Sequence, residues 1–479
     1  MSQNRKFSFL PYAITAVVFA YCGYSIFSSL QIEDDTVKKG SDTSQYLRFS
    51  RNLIDGKGFS SVWSDLEPIK PTAHREPGWP TIMTIAYWLS PQLRSLPLPQ
   101  FRSLVYSDEG AATWEENKHY LQPFLVLNGS LLLLTVIICA AVVKAETKKF
   151  WAAWLVMILI ASHSSLLANG SRLLVETSYM SLLGLSSALG YAAAKSRNYA
   201  IFAATGLSFG ALILTRATFL YMLPLALLAS PLIIWRASSQ RRQLALGYYL
   251  MLGLAFALPA LWMYRNQQLF GYFDLRSSNV LAVRASYLEM TPSEYKQSFI
   301  HWTPVIDEED WLPDIENSRF NRRNPNGFYR VGKDLRVDSV RQRYPDANEF
   351  EISEIVTGEA LRDIFSQPFW YTASLIPFTY KGFFVDRWIS KSLVGILIVN
   401  LVEHFALLGL IYISWRRRKI EILFLLLPAT FLLAFHAVFT HNIGRFNFPA
   451  IPIIYCATVI GLGNEVVPRI ASVVKRKST

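Results

Sequence analysis

The amino-acid sequence predicts an all-α polytopic membrane protein. Of its 479 residues, 52% are hydrophobic and 14% aromatic, whereas only 17% are charged, against about 25% in ordinary soluble domains. Several apolar runs also reach the roughly 20 residues that a helix needs to cross a bilayer. We therefore expect a bundle of about ten transmembrane helices, with outer juxtamembrane helices and a small outer segment of α or mixed structure.

Ten apolar runs are candidate spans. They cover residues 9–30, 122–143, 151–168, 174–194, 199–215, 218–235, 243–263, 388–414, 420–438 and 447–466. The first is longer than a signal-peptide core and lacks a small-x-small cleavage site, so we interpret it as a retained span. The run 78–97 is interrupted by Pro80 and Pro91, and we expect a juxtamembrane or half-embedded helix there.

Basic residues set the predicted orientation. With the amino terminus inside, ten spans place every basic cluster on the cytoplasmic side, as the positive-inside bias requires. These clusters are Arg5 and Lys6; Lys144, Lys148 and Lys149; Lys195 and Arg197; Arg236, Arg241 and Arg242; Arg416, Arg417, Arg418 and Lys419; and Lys475, Arg476 and Lys477. Topology thus explains the net charge of +12 better than nucleic-acid binding does.

This topology divides the chain into three parts. Residues 1–264 form a transmembrane module that includes a first outer loop at 31–121. Residues 265–387 form an outer soluble segment, which ends in an aromatic, proline-broken stretch typical of an interfacial helix. Residues 388–479 supply the C-terminal transmembrane helices and a basic cytoplasmic tail. The sequence does not predict a fold for residues 272–360.

Five arginines lie near predicted outer span ends, where arginine is disfavoured. They are Arg75, Arg172, Arg216, Arg265 and Arg445. Ionisable groups at such a depth are costly and usually face a cavity or a partner, and a guanidinium matches phosphate oxygens in a bidentate way. Snorkelling to lipid headgroups is the alternative for any single arginine, but it explains all five together less well.

Asp42 stands at the start of a short helical pattern in the first outer loop. With Gln45 three residues on, it is either a helix N-cap in the manner of a capping box or a general base that takes a proton from a hydroxyl or amine. Asp34 and Asp35 compete for the second role, but no patterned helix follows them. The pattern ends at Gly56 and Gly58.

Glu176 opens the fourth predicted span near Arg172. It is an ion-pair partner, an acid favoured at a helix start or a substrate contact. The three cysteines fall inside apolar runs, the histidines are scattered, and there is no Walker loop, H-E-x-x-H or G-x-S-x-G. We therefore expect no metal and no cofactor.

Taken in order, the motifs resemble those of the GT-C membrane glycosyltransferases. The nearest groups are bacterial relatives of the protein O-mannosyltransferases and of the lipid A aminoarabinose transferases, which are glycosyltransferase family 39-like. The chain reads "DTSQYLRFSRNLIDGKGF", "HREPGWP", "LLVETSYM", "LILTRATFLYMLP", "LPALWMYRNQQLFG" and "GRFNFPAIP". The likeness covers most of the membrane region and fades over residues 272–360. Two departures are "REPGWP" for the family's "RPPGYP", and Phe446 for a tyrosine.

The resemblance implies a transferase of a sugar from a polyprenyl-phosphate donor, whose tail lies among the spans, to a glycan, lipid or protein acceptor. It would act in the inner (cytoplasmic) membrane, among membrane lipids, with its active site facing the periplasm or exterior. Asp42 would be the catalytic base in the module 1–264, Tyr46 its neighbour in the donor pocket, and Arg75 a contact of the donor phosphate. Further substrate-binding candidates are Glu176, Arg216, Arg265 and Arg445. The leaving phosphate is a good one, so no metal is strictly required.

Two other classes of function use the same residues. A transporter or flippase of a lipid-linked anion would bind its cargo with these arginines, but such proteins often show internal repeats and broken helices at mid-membrane. The sequence shows no repeat, and its ionisable residues gather on one side. A non-catalytic partner in an envelope complex would tolerate asparagine at position 42.

Overall fold

The computed structural model describes residues 9–32, 42–63, 68–105, 117–237, 240–301, 318–321, 324–383, 393–440, 442, 446–469 and 472. Within these ranges the chain is almost entirely helical, and its only β contact is an isolated bridge between Ser60 and Pro71. The predicted all-α polytopic class is therefore confirmed.

The described residues of the amino-terminal part form twelve helices. They are α1 (Leu10–Ser29), α2 (Asp42–Ile54), α3 (Gly78–Leu89), α4 (Pro91–Ser95), α5 (Leu98–Val105), α6 (Gln122–Thr147), α7 (Phe150–Ala161), α8 (Ser164–Ser171), α9 (Glu176–Ser196), α10 (Tyr199–Thr215), α11 (Met222–Arg236) and α12 (Arg241–Phe270). The 3-10 turns Lys118–Leu121 and Ala217–Tyr221 lead into α6 and α11.

The remaining described chain adds the outer segment and the last spans. Its helices are α13 (Val280–Ser286), α14 (Pro292–His301), α15 (Arg336–Arg343), α16 (Glu349–Ser366), α17 (Pro368–Phe383), α18 (Leu393–Arg416), α19 (Ile420–Phe439) and α20 (Ile451–Gly461). A π-helical turn, Val331–Leu335, runs directly into α15.

Every one of the ten predicted spans corresponds to helix. In the described ranges, seven helices are long and apolar enough to cross a membrane, and the pair α7 and α8, bent by 51°, adds an eighth span if counted as one. The other two predicted spans are α9 and the shorter apolar helix α10. The break between α7 and α8 falls at His163, whose Nδ1 accepts a hydrogen bond from the Leu166 amide at 3.3 Å.

Small residues allow the closest helix pair, α10 against α12. A Cβ atom on Gly206 would lie 2.5 Å from the carbonyl oxygen of Met251, and one on Gly247 would lie 2.2 Å from the ring of Phe202. Backbones approach this closely in membranes only where one side chain is missing. The pair forms a rigid wall next to the first outer loop.

The first outer loop folds into a compact unit on the ends of these helices. The buried face of α2, which includes Leu47 and Phe49, packs on α3. Asn52 Nδ2 donates to the carbonyl oxygens of Ser60 and Val62. The predicted glycine stop is confirmed, since α2 ends at Ile54 and both Gly56 and Gly58 have φ of +71°, a conformation that glycine adopts at little cost.

The start of α3 touches the end of α10. A Cβ atom on Gly78 would lie 2.6 Å from the backbone nitrogen of Thr215, so only glycine allows this approach. The run 78–97 is thus two short helices, α3 and α4, as expected of a juxtamembrane element. Their position brings the residues just before α3 close to the residues just after α10.

The outer segment has a small apolar core of its own. Alanine, leucine, valine and isoleucine side chains from α13, α15 and α16 form it, among them Ala282, Val340 and Val356. Asn348 and Glu351 make a complete capping box at the start of α16. Helix α17 contains Pro377 and exposes Phe369. Its location at a membrane interface and the three-part division of the chain stay predictions.

Replacing Gly206 with alanine should destabilise the protein. The new Cβ would strike the Met251 carbonyl, and overpacking of this kind costs about 1–3 kcal/mol. We expect a lower thermal midpoint in detergent, measured by tryptophan fluorescence.

Gly253→Ala on α12 is the matched control, because nothing lies within 4 Å of its Cβ position. Equal midpoints for the two variants would contradict the close approach of α10 and α12.

Candidate functional site

Asp42 and Arg75 meet in a direct ion pair. The Nη2 atom of Arg75 lies 2.5 Å from Oδ1 of Asp42, and Nε of Arg75 donates to Oε1 of Gln45 at 2.9 Å. The guanidinium also lies 5.7 Å from the ring centre of Tyr46, which is buried. Asp42 is the first residue of α2, where the helix dipole favours a negative charge. Three of the predicted residues therefore come together.

This pair is partly shielded from solvent. The side chains of Asp42 and Arg75 are 28% and 17% exposed, so a small molecule can reach them. Burial alone would lower the pKa of Arg75, but Tyr46 and Asp42 outweigh it and raise that pKa. Burial raises the pKa of Tyr46, which stays a neutral phenol. The site thus offers a guanidinium and a carboxylate side by side.

Glu176 and Arg216 form a second pair. Glu176 begins α9 and Arg216 follows α10, which places Oε1 of the first 3.5 Å from Nη1 of the second. The Arg216 guanidinium also lies 5.6 Å from the ring of Tyr179 and 4.3 Å from that of Phe446. Both charged side chains are largely buried. Of the alternatives for Glu176, the structure shows the ion pair, and its partner is Arg216.

Arg265 contacts the backbone of the first outer loop. Its Nη1 donates to the carbonyl oxygen of Thr72 at 3.0 Å and to Oδ1 of Asn266 at 2.8 Å, and its Nη2 lies 3.5 Å from the carbonyl oxygen of Phe59. The guanidinium also packs on Trp262, 4.5 Å from the ring centre. Arg265 therefore holds the loop that carries Arg75.

Arg445 lies outside the described residues, although its neighbour Phe446 is described and packs on Arg216. Arg172 caps the end of α8 with its side chain exposed. Its carbonyl oxygen accepts a hydrogen bond from Oγ1 of Thr43 at 2.8 Å. The backbone at Arg172 thus contacts the start of α2, beside Asp42.

Two charged residues of this region were missed from the sequence. Glu76 is 5% exposed, and its Oε1 accepts a hydrogen bond from the Ala217 amide at 2.9 Å and lies 3.0 Å from Nε of Arg276. Burial raises the pKa of Glu76, but Arg276 and the Ala217 amide more than offset this and lower it. The charged residue in "REPGWP" was a signal for Glu76, whereas no local pattern marks Arg276.

His74 shows that this region is rich in positive charge. Its side chain is accessible to solvent, as a residue in the wall of a cleft is. The surrounding protein lowers its pKa to about 4, together with Arg75, Arg276 and Lys333. His74 is therefore neutral at pH 7. Within the described ranges, no group of three or more His, Cys, Asp or Glu side chains is placed to hold a metal ion.

An apolar groove lies near the ion pair between Glu176 and Arg216. It lies between α10, α11, α12 and α19, and its lining includes Phe219, Met222, Tyr248 and Phe424. Phe219 lies 5.8 Å from the ring of Tyr179, which in turn lies next to Arg216. The groove is thus an apolar surface formed by four helices, and the ring of Tyr179 contacts both its lining residue Phe219 and Arg216.

The chain matches no protein-family model and no curated protein sequence. Its structure is similar to that of the archaeal oligosaccharyltransferase AglB from Archaeoglobus fulgidus, in complex with an inhibitory peptide and a dolichol-phosphate. The identity is 12% and the TM-score 0.47, over 98% of this chain and 52% of that one. The chain therefore spans about half the length of AglB.

ArnT from Cupriavidus metallidurans is also similar. Its structure with bound undecaprenyl phosphate gives 15% identity and a TM-score of 0.36, over 96% of this chain and 79% of that one. The apo structure gives 14% and 0.36, over 97% and 79%. All TM-scores lie below 0.5, and the function is argued below from the residues of this chain.

Glu176→Gln should lower the thermal midpoint markedly. The change leaves Arg216 buried without a charged partner, and breaking a buried pair typically costs about 3–5 kcal/mol. Thermal unfolding in detergent measures the effect.

Glu289→Gln serves as its control. It removes an acid that is 54% exposed from the pair with Arg319, where the expected cost is at most about 1 kcal/mol. A Glu176→Gln midpoint no lower than that of the control would show that Arg216 does not depend on Glu176.

Proposed function

We propose that this protein is an integral membrane glycosyltransferase, which moves a sugar from a polyprenyl-phosphate donor to a glycan, lipid or protein acceptor on the outer face of the membrane. The contact between Asp42 and Arg75 carries the proposal. It joins a carboxylate and a guanidinium from segments 33 residues apart. Transfer from such a donor uses both groups, one to accept a proton and one to neutralise the leaving phosphate.

In this proposal Asp42 is the general base. Its carboxylate would take a proton from the acceptor hydroxyl or amine, while the guanidinium of Arg75 lies beside it. The acceptor atom then bonds to the anomeric carbon, the bond from that carbon to the phosphate oxygen breaks, and the electron pair leaves with the polyprenyl phosphate. Arg75 stabilises the charge that grows there, a term that is often the largest in enzymes. Tyr46 forms the neighbouring wall.

The other predicted arginines belong to the donor side of the same proposal. Arg216 is the strongest further candidate for the phosphate, because Glu176 holds it and the ring of Tyr179 links it to Phe219 in the lining of the apolar groove. Arg265 would act through the loop that it holds, and Arg445 follows as the neighbour of Phe446. In this proposal the donor's lipid tail lies against the apolar lining of the groove.

The location of the protein and its orientation in the membrane are also part of the proposal. The basic clusters favour a cytoplasmic membrane with the site on the opposite, outer side. The partners would then be the lipid-linked donor, its acceptor and the surrounding membrane lipids, with neither nucleic acid nor a metal required. No residue of the chain identifies the sugar.

Asp42→Asn should abolish transfer. A lost general base typically reduces the rate about 10²- to 10⁴-fold, so cells relying on this variant should lack the same sugar as cells from which the gene is deleted. Glycan analysis by mass spectrometry measures this, with membrane insertion checked in each strain.

Asp55→Asn is the matched control, since Asp55 also pairs with an arginine of α2, lies 3.0 Å from Nε of Arg51 and is 24% exposed. It should retain the sugar. If cells with Asp42→Asn insert the protein normally and also retain the sugar, Asp42 is only a helix cap. The transporter hypothesis would then be favoured over the transferase.

A further inference from the structure

Glu76 occupies one of the positions at which this chain departs from the pattern that its motifs resemble. One carboxylate oxygen contacts two groups at once, the Ala217 amide at 2.9 Å and Nε of Arg276 at 3.0 Å. A proline at this position has no side-chain acceptor and could make neither contact. The acid therefore supplies a link that a proline at this position could not make.

Three segments meet at this carboxylate. They are the loop before α3, the turn after α10 and residues 271–279 after α12. Further bonds run along the same seam: the Ser277 amide donates to the Ala73 carbonyl oxygen at 3.2 Å, and Thr72 Oγ1 donates to Glu349 Oε1 at 3.1 Å. The predicted outer segment is thus docked on the loop, and Glu76 supplies the charged contact.

Glu76 and Ala217 each directly follow an arginine of the candidate site. Arg75 precedes Glu76 and binds Asp42, while Arg216 precedes Ala217 and binds Glu176. A peptide unit spans only 3.8 Å between Cα atoms. A shift of the Glu76 carboxylate relative to Ala217 therefore moves the two guanidinium groups relative to each other.

We propose that Glu76 is a positioning residue, which docks the outer segment through Arg276 and thereby fixes the spacing of Arg75 and Arg216 around the donor phosphate. The proposal rests on the proposed function, because that phosphate is what the two arginines would share. Glu76 itself does not touch the phosphate. Its charge matters through Arg276, and its oxygen through the Ala217 amide.

The test is binding of undecaprenyl phosphate to purified protein in detergent. Glu76→Gln and Arg276→Gln should each weaken binding about tenfold, since a displacement near 1 Å in a site costs up to about 10²-fold. The double variant Glu76→Gln/Arg276→Gln should bind no more weakly than either single variant, because all three variants lack the ion pair between Glu76 and Arg276. Arg276→Lys, which keeps the charge, should stay within about threefold of wild type.

Asp363→Asn is the control, since it breaks the ion pair of Asp363 with Arg336 in the same segment, and it should bind as wild type. Equal thermal midpoints exclude unfolding as the cause of weaker binding. If the wild type binds and both glutamine variants bind equally well, or if their losses add up, the role of Glu76 is overturned while the proposed function stands. If the wild type does not bind undecaprenyl phosphate, both the role of Glu76 and the proposed function are contradicted.

Discussion

The ion pair between Asp42 and Arg75 is the contact on which the rest of the site depends. Neither group could stand alone, because an unpaired charge close to lipid is costly, and the pair fixes where α2 lies relative to the loop before α3. Arg265 then holds that loop from the side of α12, and Glu76 ties it to the end of α10. These charged side chains together fix the position of the loop before α3 relative to α2, α10 and α12.

The arginines that the sequence grouped together divide into two kinds. Arg75 and Arg216 each pair with a carboxylate, whereas Arg265 is held by backbone carbonyl oxygens and the amide oxygen of Asn266. Because its guanidinium is bonded to main-chain acceptors of the first outer loop, Arg265 holds that loop in place. Arginines that the sequence predicts at similar depths therefore have different partners in the structure.

The sequence predicted most of the helices, because hydrophobic length and glycine stops are local signals. The start of α2 at Asp42, its end before Gly56 and the ten apolar runs all follow from neighbouring residues. The link between Glu76 and Arg276 joins residues 200 positions apart, and no local pattern contains it. The helices of the outer segment were missed for a related reason: they bury alanine and valine against each other, and their composition resembles that of a loop.

The packing of Arg216 on Tyr179 and Phe446 has a consequence for the entropy of binding. A long arginine side chain ordinarily loses about 2 kcal/mol of rotamer freedom when a ligand immobilises it. Here the rings and Glu176 have already restricted it during folding. An anion that bound Arg216 would meet a hydrogen-bond donor whose geometry is already set, so less of its interaction energy would be lost to ordering the protein.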